Sequence, residues 1–91
     1  MRIALIGAEG QLGRALRTRL GGDVVALGHA DVEIRSVESV EAAFATAKPD
    51  LVINTAAYNQ VDRAEDEPDI AFAVNALGPR NLALVCQARE I

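Results

Sequence analysis

A short apolar run that ends on a glycine triplet constrains this chain most. Arg2-Ile3-Ala4-Leu5-Ile6 reads as a buried strand. Gly7-Ala8-Glu9-Gly10-Gln11-Leu12-Gly13 follows as a loop, and Leu12, Leu16 and Leu20 then recur every fourth residue along one face of a helix. Each glycine of the triplet has a physical task. Gly7 permits the tight turn out of the strand, Gly10 lets a bound group approach the backbone, and Gly13 lets helix and strand pack closely. Free amides at the start of the helix, together with its dipole, favour an anion. A strand before the glycines and an amphipathic helix after them give the context in which such a loop holds the pyrophosphate of a nicotinamide dinucleotide.

The rest of the chain repeats the alternation. Gly21-Gly22 is a helix stop. Val24–Leu27 is a second buried strand, Gly28–Asp31 a loop, and Val32-Glu33-Ile34 a short extended piece. Ser36 caps a helix whose Val37, Val40, Phe44 and Ala47 face the core, and Pro49-Asp50 ends it. Leu51–Asn54 is the third strand and residues 55–62 form a loop. Pro68 opens a last helix reaching Arg89, which Gly78-Pro79 should kink or split. The order β-α-β-α-β-α, with right-handed crossovers, predicts a doubly wound parallel α/β sheet with helices on both faces. Residues 1–91 then make one dinucleotide-binding domain of Rossmann type, incomplete because the alternation requires a fourth strand after Ile91. The open edge of the third strand favours pairing with whatever follows, or with a second copy in a homo-oligomer.

Composition narrows the function classes. With 51% hydrophobic residues in 91, the chain is one small folded domain rather than a disordered tail. Its formal net charge of −4 argues against a nucleic-acid or membrane-surface binder, which needs basic patches. No apolar run approaches the ~20 residues of a membrane span, and the amino terminus lacks the features of a signal peptide. The one cysteine, Cys86, has no partner within the chain and sits beside Leu84 and Val85, as a packed core residue would. The expectation is a cytoplasmic protein. Asp62, Glu65, Asp66 and Glu67 read as a solvated, dipole-favoured helix start; no spacing among them demands a metal.

Cofactor choice depends on the end of the second strand. Sites selective for NAD place an acid there for the ribose 2′-hydroxyl. Here the position is Gly28, followed by His29, which could donate to a 2′-phosphate. Asp31 comes three residues later and would reach the ribose only by a turn of the loop. The expectation is NADPH, with NADH as the alternative.

The segment Pro49-Asp50-Leu51-Val52-Ile53-Asn54-Thr55-Ala56-Ala57-Tyr58, continuing as Asn59-Gln60-Val61-Asp62-Arg63-Ala64-Glu65-Asp66-Glu67-Pro68, resembles the dTDP-4-dehydrorhamnose reductase family of extended short-chain dehydrogenases. Ala73-Val74-Asn75-Ala76-Leu77-Gly78-Pro79-Arg80-Asn81-Leu82-Ala83 is similar to a second segment of that family, and Val32-Glu33-Ile34-Arg35-Ser36 to a third, with Glu33 in place of the usual aspartate. The resemblance covers the whole chain. It implies that Gly10, Gln11 and Leu12 line the pyrophosphate, that Glu33 bonds the adenine amine while Ile34 covers the ring, and that Ala56, Ala57 and Tyr58 pass beside the ribose and phosphates. It also implies reduction of a 4-keto sugar nucleotide by hydride transfer, with a tyrosine as acid and a lysine four residues on. That pair is missing here: Tyr58 is the sole tyrosine, position 62 is Asp62, and the sole lysine is Lys48. No catalytic residue is therefore assigned. Two alternatives stand beside the reductase: a sugar-nucleotide epimerase or dehydratase, which usually carries an acid where Gly28 stands, and a non-catalytic dinucleotide-binding regulatory subunit.

Overall fold

The computed structural model describes residues 1–56 and 68–91. Strands form where apolar residues run together: β1 (Arg2–Ile6), β2 (Asp23–Leu27) and β3 (Leu51–Asn54). All pairings are parallel and the order is β2-β1-β3, with Ile6 at the end of β1 flanked by Leu27 and Asn54. Parallel neighbours need crossovers, which α1 (Gln11–Arg19) and α2 (Val37–Ala47) supply. The chain steps from β1 out to β2, then returns across to the other edge of β1. Right-handed crossovers in opposite directions put the two helices on opposite faces, the doubly wound arrangement expected. Where the direction reverses, the loops leaving β1 and β3 diverge and open a crevice at the carboxyl ends of the strands.

The main core lies on one face. Ala4, Ile6 and Leu27 of the sheet meet Val32 and Ile34 of the connecting loop, Val40 and Phe44 of α2, and Leu82 and Val85 near the carboxyl terminus. Strand alternation turns Leu5 the other way, and it too is fully buried. The opposite face is thinner. Leu12 remains 60% exposed and Leu16 and Leu20 are half-buried, so the leucine stripe is only partly covered. Ser36 caps α2 as expected, its hydroxyl accepting from the Ser39 amide at 3.2 Å. Residues 32–34 are not a strand, but they keep the alternation of one, with Val32 and Ile34 buried and Glu33 exposed.

The last helix is interrupted one turn before the predicted place. It runs as α3 (Pro68–Phe72), a π-helical turn (Ala73–Leu77) and α4 (Gly78–Ala88). Pro79 has no N–H, and its ring conflicts with the carbonyl four residues back. The wider turn absorbs the misfit, and Gly78 donates to the Ala73 carbonyl. Cys86 packs half-buried against the core, and burial raises its thiol pKa, as suits a packing residue. No helix among the described residues is long and apolar enough to cross a membrane. Ala57, Tyr58 and the acidic residues Asp62, Glu65, Asp66 and Glu67 lie outside the described residues.

Candidate functional site

The crevice is built from the turn that leaves β1. Gly7 adopts φ +76°, a left-handed backbone, and its N–H donates to the Leu27 carbonyl at 3.0 Å. A side chain there would lie 2.7 Å from the Ala56 amide nitrogen. The turn closes with Gly10 N–H donating to the Gly7 carbonyl at 3.1 Å. Thr55 fastens it to β3: its hydroxyl lies 2.7 Å from the Ile6 carbonyl and 3.1 Å from that of Gly7, and can donate to either. Gly13 is where α1 rests on the turn. A Cβ there would stand 2.2 Å from the Gly7 carbonyl oxygen and 2.8 Å from the Ala8 Cα.

Gly10 differs from the other two. Its backbone (φ −75°, ψ 174°) suits any residue, and an added Cβ would meet only the Gly7 carbonyl oxygen, at an ordinary 3.5 Å. Folding therefore does not require glycine at this position. Gly10 is the N-cap of α1, where Ser, Asp or Asn would satisfy the first amides. As it stands, no side chain caps α1 and no acid lies in its first turn. The sequence leaves helix-start amides free at a crevice mouth, as an anion site does.

The crevice has a volume of ≈ 300 Å³, at the small end for ligand sites and enough for part of a dinucleotide. Of the residues singled out from sequence, Gly7, Gly10, His29, Glu33, Ile34 and Ala56 line it together. Gln11, Leu12 and Gly13 do not: the Leu12 side chain faces outward and Gly13 is buried beneath the turn. Asp31 turns back, its carboxylate accepting from the Gly28 amide at 2.8 Å, and borders a different groove.

Ile34 is held in place from behind. The buried Asn81 of α4 donates through Nδ2 to the Ile34 carbonyl at 3.0 Å. Gly78 lies so close that a Cβ on it would be 2.5 Å from Ile34 Cδ1. At the rim, Arg35 chelates Glu33, with Nε on Oε1 at 2.8 Å and Nη2 on Oε2 at 3.1 Å, while the Arg35 amide also donates to Oε1 at 3.0 Å. These bonds hold the Glu33 carboxyl below the usual glutamate range and raise the Arg35 guanidinium. A depressed folded-state pKa means the pair favours the folded chain above the ordinary carboxylate range, and that contribution is lost as pH falls through the folded value. The two side chains are 43% and 48% exposed, so solvent screening keeps it small. A carboxylate has further lone pairs, so Glu33 can accept an additional donor while chelated.

Sequence reasoning missed three residues here. Arg35 could have been found, because residues two apart in an extended segment share a side. Thr55 and Glu9 reach partners many positions away, and nothing local signals that. Glu9 lines the crevice with its side chain against Gly28.

The parallel order, the glycine turn and the switch-point crevice define a Rossmann-type α/β unit. Residues 1–91 match the family described as RmlD substrate binding domain, and the chain belongs to that family. It is 47% identical over 90 residues to the dTDP-4-dehydrorhamnose reductase of Mycolicibacterium smegmatis, a match covering 96% of this chain and 27% of the relative. The crystal structure of the Bacillus anthracis dTDP-4-dehydrorhamnose reductase in complex with NADP aligns with a TM-score of 0.90 at 34% identity, over 98% of this chain and 33% of that one. The Thermus thermophilus UDP-glucose 4-epimerase complexed with NAD aligns with a TM-score of 0.84 at 28% identity, over 100% and 35%. This chain thus spans only 27–35% of these three proteins. The resemblance carried by the middle motif and the expected fold class are both borne out.

Proposed function

We propose that this chain is the cofactor-binding part of an NADPH-dependent reductase that converts a 4-keto sugar nucleotide, dTDP-4-dehydrorhamnose, on the way to dTDP-rhamnose. The observation that carries the reading is Gly10: a glycine that folding does not need, at an uncapped helix start, facing the crevice. The NADP complex of the Bacillus anthracis structure favours NADPH, with NADH as the alternative.

The cofactor, when bound, supplies a hydride. The residues of this chain bind and orient it. Gly10 leaves room for the pyrophosphate, and the amides of Gln11 and Leu12 that begin α1 face its charge. Gly13 contributes by letting α1 sit close enough. Ile34 covers the adenine, and Glu33, steadied by Arg35, borders it. His29 stands by the ribose, and Ala56 keeps the backbone after β3 close to the cofactor. Ala57 and Tyr58 are proposed to continue that path. The acid that protonates the sugar carbonyl lies elsewhere, since these 91 residues contain no tyrosine followed four positions later by lysine.

The test is oxidation of NADPH by the full-length protein with dTDP-4-dehydrorhamnose, monitored at the nicotinamide absorbance. Turnover in the full-length protein, with none in residues 1–91 alone, is expected. Tight NADPH binding without turnover would favour the regulatory-subunit reading instead, and reductase activity from residues 1–91 would refute the division of labour.

A further inference from the structure

The end of β2 carries no side chain, yet a carboxylate stands there. If Gly28 bore a Cβ, that atom would lie 2.9 Å from Cδ of Glu9, 3.0 Å from its Oε1 and 3.3 Å from its Cγ. Glu9 thus fills the volume that a side chain at position 28 would occupy. Rossmann sites selective for NAD place an acid in this corner, rising from the end of the second strand, to accept the ribose 2′-hydroxyl. Here the acid arrives from the glycine loop, one residue before Gly10.

The neighbouring charges leave Glu9 exposed to whatever enters. Asp31 is turned away onto the Gly28 amide. The Glu33 carboxylate is neutralised by Arg35. His29 lines the crevice beside them and can donate a ring N–H. Among the described residues no hydrogen bond or ion pair engages the Glu9 carboxylate.

We propose that Glu9 sets the 2′ preference of the site: its carboxylate accepts a hydrogen bond from the 2′-hydroxyl of NADH and opposes the 2′-phosphate of NADPH, so that both cofactors are accepted. This rests on the dinucleotide reading above and deepens it. A phosphate monoester carries between one and two negative charges near neutrality, and its repulsion by a carboxylate at the mouth of a solvated crevice is worth about a tenfold change in affinity.

The experiment measures dissociation constants of NADPH and NADH calorimetrically in the full-length protein. In the wild type the two are expected within about tenfold of each other. Glu9→Gln is expected to shift their ratio about tenfold towards NADPH, by an amount that shrinks at high salt. Glu9→Ala should do the same, and adding Gly28→Asp to it, now that the corner is vacant, should shift the ratio back towards NADH. Equal changes for both cofactors, or an unchanged ratio, would overturn the role of Glu9 while leaving the dinucleotide reading intact. Failure of the wild type to bind either cofactor would overturn both.

Discussion

Gly13→Ala is expected to destabilise the full-length protein by at least ~3 kcal/mol, the upper part of the range for forcing an extra methyl into a packed site. The new Cβ would stand 2.2 Å from the Gly7 carbonyl oxygen and 2.9 Å from the Gly7 carbonyl carbon. Both are backbone atoms, so no rotamer change relieves the overlap. The first turn of α1 must lift away from β1, and the turn at Gly7, itself fixed by Thr55 and Leu27, must open with it. Denaturant unfolding measures the loss. A wild-type midpoint in Gly13→Ala would mean that α1 does not rest on the turn as described.

Gly10→Asp is expected to behave in the opposite way. The backbone at Gly10 suits any residue, and a Cβ fits. Aspartate is also among the best N-caps, so stability should hold or rise by ~0.5–1 kcal/mol. Its carboxylate would then occupy the amides of α1 and add a negative charge where the pyrophosphate is to sit. NADPH affinity should fall about a hundredfold, equivalent to ~2.7 kcal/mol. Calorimetric binding and denaturant unfolding on the same variant separate the two effects. Undiminished binding with an intact fold would remove Gly10 from the site. The contrast between the two glycines, one required by packing and the other by the ligand, is the most specific consequence of the geometry.

Much of this arrangement is legible in the sequence because its causes are local. Apolar runs gave all three strands, and the glycine loop with its flanking strand and helix located the crevice mouth. What the pattern could not show is what covers each face. Leu12, Leu16 and Leu20 mark a stripe, but the stripe has no partner at Leu12 among the described residues. The interruption of the last helix was predicted at Gly78-Pro79, yet the strain is taken up in the π-helical turn before it, where the missing proline N–H changes the bonding register.

The site was less legible because it is assembled from distant residues. Six of the residues named from sequence line one crevice, but Glu9, Arg35 and Thr55 were absent from that reading. Glu9 meets Gly28 only because parallel pairing places the ends of β1 and β2 side by side. Asp31 shows the converse. Its position near the second strand makes it a candidate for the ribose, but its carboxylate, three residues after Gly28, folds back onto the Gly28 amide.

The crevice between the glycine turn and the end of β3 is proposed to bind a dinucleotide by its pyrophosphate. A crystal structure of the full-length protein with NADPH tests this most directly. Pyrophosphate oxygens hydrogen-bonded to the amides at the start of α1, beside Gly10, with the adenine against Ile34, are expected. A dinucleotide bound with its phosphates away from those amides would contradict it.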